Sequence, residues 1–217
     1  DLGVNLKNYA FTTSKVDISK FIQEDSLGIS IPQSVLLKGK FQKNTDVFAT
    51  QSQLQTPEGT INVEGEFNNT NRLAYALNLD VNSLQLGDIL QNPDIGELNV
   101  RVDSKGKGNS INDLTAEFSS TIDSIRYADY TFSTMQLNGK IKKGQGGLKF
   151  DYNDDNLKFN IVSEIDLGSL SSQVDTKIDL HGIKTKKLGL TEKDLRAKVL
   201  AHIDFKGNLD NFSLDAQ

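Results

Sequence analysis

Strict alternation of apolar residues with polar or small ones is the feature of this 217-residue chain that most constrains its fold. In the segment 72–81, RLAYALNLDV, large apolar side chains occupy every second position. Successive side chains of a β-strand point to opposite faces of a sheet, whereas an amphipathic helix needs apolar residues three or four positions apart. The alternation therefore predicts a strand with one apolar face and one polar or small face.

The same period of two recurs along the chain, and clusters of turn-forming residues separate the runs. Further alternating segments are 37–41, 61–67, 98–102, 114–122, 148–152, 157–161, 178–180 and 195–205. The turn clusters are 56–59, 68–71, 144–147 and 153–156. Their Gly, Asn and Asp residues supply positive φ or local side-chain hydrogen bonds. Strands joined by such short links predict an antiparallel meander, with short helices only near 19–24 and 86–92.

Repeated short segments indicate a stack of similar units. The segment 37–43, LKGKFQK, matches 137–143, LNGKIKK, at four of seven positions. A shorter pattern, apolar-x-apolar-(Ser/Gly)-x-apolar, occurs at 16–21, 84–89 and 165–170. Units that bury a face only against their neighbours form a quasi-one-dimensional array. We therefore expect one repetitive β domain over 1–217, excised from a longer chain, with internal units at approximately 1–97, 98–183 and 184–217.

Composition and charge argue against several classes of function. The 24 Lys+Arg and 29 Asp+Glu give a net charge of −5, without the basic stripe of a nucleic-acid-binding protein. The lack of cysteine excludes disulfides, thiolate metal sites and a cysteine nucleophile. His181 and His202 have no catalytic motif around them, and no Gly-x-Ser-x-Gly elbow occurs. We therefore predict a protein that is not an enzyme, uses no cofactor and binds no nucleic acid.

One segment begins like a calcium-binding loop and then departs from that pattern. Residues 151–155 read Asp-x-Asn-x-Asp, the oxygen-rich start of an EF-hand loop. Position six is Asn156 rather than Gly, and position twelve is Val162 rather than Glu. We therefore predict a polar hairpin turn here and no metal site.

The apolar positions of the alternating segments form the candidate functional surface. Two structures fit them equally well. One is a closed core between two sheets about 10 Å apart, as in a sandwich or adhesion module; the other is a long curved sheet whose apolar inside is open to acyl chains. Periodicity places the same residues inside in both cases. These residues are Leu73, Tyr75, Leu77, Leu79, Leu98, Val100, Val102, Phe118, Ile122, Leu157, Phe159, Ile161, Val199, Ile203 and Phe205.

Several segments resemble the AsmA/TamB family of Gram-negative envelope proteins. The resemblance is carried by a pattern of Leu, Gly and Asn in 75–90, 98–108, 111–118, 125–132 and 135–141, and again in 188–195 and 205–212. It implies an all-β fold: an elongated, curved antiparallel sheet built from repeats, called a β-taco or repeating β-groove. Such a sheet has an apolar interior and only one or two short helices. The family offers no catalytic residues to carry over.

The same resemblance implies a location and a function. Family members are anchored in the inner membrane by an N-terminal helix, which this sequence lacks, and their body lies in the periplasm. We therefore expect a non-enzymatic conduit that binds phospholipid acyl chains in its groove, lined by the apolar residues given above, and supports outer-membrane biogenesis. An Omp85-type outer-membrane barrel is the implied partner of the full-length protein. The alternative is a scaffold for the assembly of outer-membrane β-barrel proteins and autotransporters by strand addition.

Overall fold

The alternating segments form strands in the computed structural model, which describes residues 3–22, 28–167, 172–207 and 212–216. The strands pair in sequence order in one sheet from β1 to β13, and the pairings from β1 to β4 and from β8 to β13 are antiparallel. The predicted all-β antiparallel class is confirmed. The strands are β1 Val4–Ser14, β2 Ser34–Lys43, β3 Val47–Thr56, β4 Gly59–Asn68, β5 Ala74–Gln85, β6 Ile95–Lys107, β7 Thr115–Tyr127, β8 Tyr130–Lys142, β9 Gln145–Asn153, β10 Leu157–Leu167, β11 Ser172–Lys184, β12 Arg196–Gly207 and β13 Phe212–Ala216.

The described helices are short. They are α1 (Lys15–Ile18), α2 (Leu86–Leu90) and a 3-10 turn at Ile111–Asp113. The predicted helix near 86–92 is confirmed, and it ends where Gln91 takes a left-handed conformation with φ 52°. No helix in the described part of the chain has the length and apolar character needed to cross a bilayer.

The first helix lies earlier in the chain than the segment 19–24 predicted from the pattern. The hydroxyl of Ser14 accepts a hydrogen bond from the backbone N–H of Asp17, so the helix begins at Lys15. Residues 19–21 form the turn that follows α1. Positions 23 and 24 lie outside the described residues.

The turn predicted at 144–147 is shorter than expected. Only Lys143 and Gly144 reverse the chain, with φ of 52° and 77°, which is the two-residue hairpin geometry. Gly146 and Gly147 are already part of β9. Glycine is needed at 146 for close approach to the neighbouring strand, because a methyl group there would overlap the carbonyl oxygen of Lys140.

The chain divides into two compact units. Unit 1 comprises 1–71, 75–103 and 122–133, and unit 2 comprises 72–74, 104–121 and 134–217. Within the described residues, the buried apolar side chains are few: Ile31, Val81 and Leu84 in unit 1, and Met135, Tyr152 and Leu188 in unit 2. Most large apolar side chains are therefore half-buried or exposed. The three internal units expected from the sequence stay a prediction.

Candidate functional site

In unit 2, the strand register places apolar residues of successive strands side by side. Phe159 lies opposite Tyr152 of β9 and Leu180 of β11, and Leu180 lies opposite Val199 of β12. Directly opposed residues of antiparallel strands point to the same side. We call this side the apolar face of unit 2. Its members are Leu137, Gly139 and Ile141; Gly146, Leu148, Phe150 and Tyr152; Leu157, Phe159, Ile161, Ser163 and Ile165; Val174, Thr176, Ile178 and Leu180; and Val199, Ala201, Ile203 and Phe205.

This face is tightest between β9 and β10 and more open at β12. The rings of Phe150 and Phe159 meet edge to face at 5.1 Å between centroids, and Tyr152 lies 5.9 Å from Phe159. Tyr152 is buried, whereas 47% of Val199 is exposed. The remaining large apolar members of the face are half-buried. Apolar contact area therefore stays accessible over several adjacent strands.

The opposite face of unit 2 is charged. Glu117 pairs with Lys140 at 2.6 Å and with Lys105 at 3.2 Å, and Lys140 followed by Lys105 lowers the pKa of Glu117. On β11 and β12, the Nε2 of His202 lies 2.9 Å from a carboxylate oxygen of Asp175. These partly exposed polar contacts mark the charged side of the sheet.

Unit 1 has an apolar face of its own. Leu37 lies opposite Leu54, which lies opposite Ile61. The rings of Phe67 and Tyr75 stack at 6.4 Å between centroids. A Cβ at Gly65 would lie 3.5 Å from a methyl carbon of Leu77, which places Leu77 on the same side. The apolar face of unit 1 includes Leu37, Gly39, Phe41, Phe48, Thr50, Ser52, Leu54, Ile61, Val63, Gly65, Phe67, Tyr75 and Leu77.

Ion pairs show which side chains of β6 and β7 point to the same face of the sheet. The guanidinium of Arg101 donates two hydrogen bonds to Asp123, at 2.7 and 2.9 Å, and this contact lowers the pKa of Asp123. Side chains alternate along a strand, so the neighbours of Arg101 and Asp123 point to the other side. Those neighbours are Val100, Val102 and Ile122. By the same reasoning, Phe118 lies opposite to the ion-paired Glu117.

The structure brings many of the predicted groove residues together, within each unit separately. In unit 2, Leu157, Phe159 and Ile161 of β10 share the apolar face with Val199, Ile203 and Phe205 of β12. Phe118 lies on the part of β7 that belongs to unit 2, and Tyr75, Leu77, Leu79, Leu98, Val100, Val102 and Ile122 lie in unit 1.

Leu73 differs from the other predicted groove residues. It precedes β5, and 43% of it is exposed. Its backbone N–H donates to the side chain of Asn109 at 3.1 Å, and its carbonyl accepts from the N–H of Gly108 at 2.9 Å. Its backbone therefore ties the β4–β5 link to the end of β6.

Several members of the apolar faces were absent from the predicted groove. They include Phe150, Tyr152, Ile178 and Leu180 in unit 2, and Leu37, Leu54, Ile61 and Phe67 in unit 1. The signal of all of them except Leu54 was present, because 148–152, 178–180, 37–41 and 61–67 alternate and predicted strands. Leu54 lies in β3, for which no strand was predicted. Alternation shows that a strand has an apolar side, whereas only the register shows which strands combine their sides.

The segment resembling a calcium loop forms the β9–β10 hairpin turn, as predicted. One carboxylate oxygen of Asp154 accepts from the backbone N–H of Asn156 at 2.7 Å and of Leu157 at 2.6 Å. The other oxygen accepts from the hydroxyl of Tyr152 at 2.6 Å. Both oxygens of Asp154 therefore hold the turn.

One group of described residues has metal-ligand geometry. Asp175, His202 and Asp204 place one ligand atom each within 4.8 Å of one another on the charged face of unit 2. Asp175 and Asp204 are directly opposed across β11 and β12, and the imidazole of His202 lowers the pKa of Asp175 by hydrogen bonding. Asp175 and His202 are partly buried and Asp204 is exposed, so the cluster is a polar cross-strand contact in which the Nε2 of His202 lies between two carboxylates.

No protein-family model, curated protein or solved structure matches this chain. The resemblance to the AsmA/TamB family therefore rests on the sequence patterns alone. The structure itself offers two accessible apolar faces, and the opposite face of unit 2 is charged. Such faces are suited to holding hydrocarbon, because apolar contact is favourable and non-directional.

Proposed function

We propose that this chain is part of an AsmA/TamB-like periplasmic conduit whose apolar faces bind the acyl chains of phospholipids. The observation that carries the proposal is the apolar face of unit 2, which is continuous from β8 to β12 yet leaves most of its side chains half-buried. A closed globular core would bury such residues completely. A lipid chain lying on the face would complete their burial.

The energetics suit transport rather than storage. Each buried CH₂ group of an acyl chain gains about 0.8 kcal/mol, so a chain of about sixteen carbons that crosses water unaided faces a barrier of roughly ten kcal/mol. A continuous apolar face removes much of that barrier without ATP. Because aliphatic contact is non-directional, a bound chain can shift from one row of side chains to the next.

The location and partner belong to the same proposal. In it, the full-length protein is held in the inner membrane by an N-terminal helix and delivers lipid toward the outer membrane, where an Omp85-type barrel is its partner. In this proposal, phospholipid binds the two apolar faces. The barrel is a partner of the full-length protein, and the proposal places none of the residues named above in contact with it.

Neighbouring residues of β10 provide the test. Ile161 belongs to the apolar face, and Val162 lies on the charged face with 38% exposed. A photo-crosslinking residue at 161 is expected to capture phospholipid in a Gram-negative host, and the same residue at 162 is expected to capture none. Equal crosslinking at both positions, or none at 161, contradicts the proposal.

A charge substitution gives a second measurement. The chain is purified without detergent and analysed by native mass spectrometry. Phe159→Asp is expected to reduce the co-purifying phospholipid, because it removes binding at the apolar face of unit 2, whereas Val162→Asp on the same strand keeps the wild-type amount. Circular dichroism and thermal unfolding establish that both variants are folded. A lipid-free wild-type chain, or a folded Phe159→Asp variant with undiminished lipid, contradicts the proposal.

A specific observation favours strand addition as a second candidate function. Val199 and Leu200 lie on opposite faces of β12 and are 47% and 77% exposed. A strand with exposed apolar side chains on both faces is suited to contact with another strand.

Lysine at both positions separates the two candidates. If β12 receives strands, Val199→Lys with Leu200→Lys lowers outer-membrane protein assembly while lipid crosslinking at 161 persists. Normal assembly in that variant rules out strand addition at β12.

A further inference from the structure

Two hydroxyl side chains interrupt the apolar face of unit 2. Ser163 of β10 lies directly opposite Thr176 of β11, and their oxygens are 2.9 Å apart. Both residues are partly buried. Apolar members of the face flank them along both strands: Ile161 and Ile165 on β10, and Val174 and Ile178 on β11.

The Ser163–Thr176 pair has one donor hydrogen that takes no part in a hydrogen bond within the described residues. Two hydroxyl groups carry two donor hydrogens, and their mutual hydrogen bond takes one of them. Among the described residues, neither oxygen has a further hydrogen-bond partner. Leaving a partly buried donor without an acceptor costs free energy, and a hydrogen bond to an acceptor removes that cost. The spare O–H lies on the same side as the apolar rows, where a bound lipid would lie.

A hydroxyl cluster in unit 1 provides a contrast. Thr50 donates to the carbonyl of Lys40 at 3.3 Å, and its own oxygen lies 2.6 Å from the hydroxyl of Ser52. The hydroxyl of Tyr9 lies 2.5 Å from that of Ser52. With the hydrogen of Thr50 used, Ser52 donates to Thr50 and Tyr9 donates to Ser52. All three donors are satisfied, so this cluster has no spare hydrogen.

We propose that the Ser163–Thr176 pair donates a hydrogen bond to the ester carbonyl of an acyl lipid lying on the apolar face of unit 2. The inference rests on the proposed function. An ester carbonyl accepts a hydrogen bond, carries no charge and is joined directly to hydrocarbon. The face contains no Lys, Arg or His to balance a free carboxylate or phosphate. The pair therefore recognises the junction between an acyl chain and its glycerol backbone.

Paired lipids that differ only at the carbonyl test this proposal. The probes are a diacyl phosphatidylglycerol and its dialkyl ether analogue with the same headgroup and chain length, and native mass spectrometry measures both affinities. Wild type is expected to bind the ester about three- to tenfold more tightly. Ser163→Ala with Thr176→Val is expected to bring this ratio close to one. The matched control, Ser119→Ala on the charged face of unit 2, removes a hydroxyl whose hydrogen is already donated to the side chain of Asn138 at 3.0 Å, and it is expected to keep the ratio.

A wild-type measurement covers the case in which the double variant does not fold. With ¹³C=O-labelled ester lipid, the carbonyl stretching band of the bound lipid is expected at a lower frequency than in an alkane solvent. A purely structural role of the two hydroxyls would not move this band. An unshifted band, or an ester-to-ether ratio near one in wild type, overturns the inference while lipid binding stands. A chain that binds neither lipid overturns the proposed function itself.

Discussion

Gly39 of β2 lies directly opposite Ser52 of β3, and a methyl group at Gly39 would overlap the backbone carbonyl oxygen of Gln51. Its counterpart in the repeated segment, Gly139, lies opposite Leu148 of β9. A methyl group at Gly139 would meet the end of the Leu148 side chain rather than backbone. The two glycines therefore share a place in the repeat but have different neighbours.

This difference predicts unequal costs of the same substitution. Gly39→Ala is expected to lower the free energy of unfolding by about 1–3 kcal/mol, because the opposing backbone cannot move without breaking the ladder. Gly139→Ala is expected to cost about 1 kcal/mol or less, because the leucine can change rotamer. Urea unfolding measures both. Equal costs would show that the opposing backbone yields as readily as a side chain.

The β9–β10 turn depends on one carboxylate. Asp154→Ala removes the acceptor of the backbone N–H groups of Asn156 and Leu157 and is expected to cost about 1–2 kcal/mol of unfolding free energy. Asp155→Ala, its exposed neighbour, serves as the control and is expected to change stability by less than about 0.5 kcal/mol. Thermal unfolding with and without calcium is expected to be identical for wild type. A calcium-dependent midpoint would show that the segment binds the ion after all.

The Arg101–Asp123 ion pair predicts a dependence of stability on pH. The guanidinium of Arg101 holds the pKa of Asp123 below its usual value. The pair therefore stabilises the fold above the unfolded-state pKa of about 3.9, and this contribution is lost as pH falls through the lower folded-state value. Asp123→Asn is expected to lower the melting temperature at pH 7 by no more than about 3 °C, since both groups are partly exposed.

The comparison between variant and wild type isolates this pair from the other carboxylates. Between pH 5 and pH 3, the melting temperature of wild type is expected to fall more steeply than that of Asp123→Asn. Arg101→Gln is expected to flatten the profile in the same way. Parallel profiles in all three proteins would remove the ion pair as a source of acid sensitivity.

The apolar face of unit 1 gives an independent test of acyl-chain binding. Leu77 belongs to that face, and Asn78 lies on the opposite side of the same strand. Leu77→Asp is expected to weaken phospholipid binding at least about tenfold, because a carboxylate on an apolar face must be desolvated when hydrocarbon covers it. Asn78→Asp is expected to leave binding unchanged. Titration with short-chain phospholipid measures the affinity of both variants. An equal loss of affinity in both would show that the added negative charge weakens binding whichever face of the strand carries it.

Some strands had weaker sequence signals than others, and the structure gives the reasons. In β3, Thr50 and Ser52 occupy apolar-face positions, so hydroxyls replace the expected large side chains. In β8, Thr134 takes a positive φ of 54°, and Gly139 stands where an apolar residue would continue the alternation. Backbone hydrogen bonds to the neighbouring strands keep β3 and β8 in the sheet although their apolar alternation is interrupted. These bonds do not depend on the identity of the side chain.

The sequence by itself determined the all-β class, most of the strands and the side of each strand that is apolar, because side chains alternate strictly along an extended backbone. The tertiary structure decided which residues become neighbours. Only the register brings Phe159 beside Tyr152 and Leu180, and only the register pairs Ser163 with Thr176. A slip of one residue would move every side chain to the other face. That choice depends on hairpin turns such as Lys143–Gly144 and on contacts between strands, and neither is encoded in the pattern of a single strand.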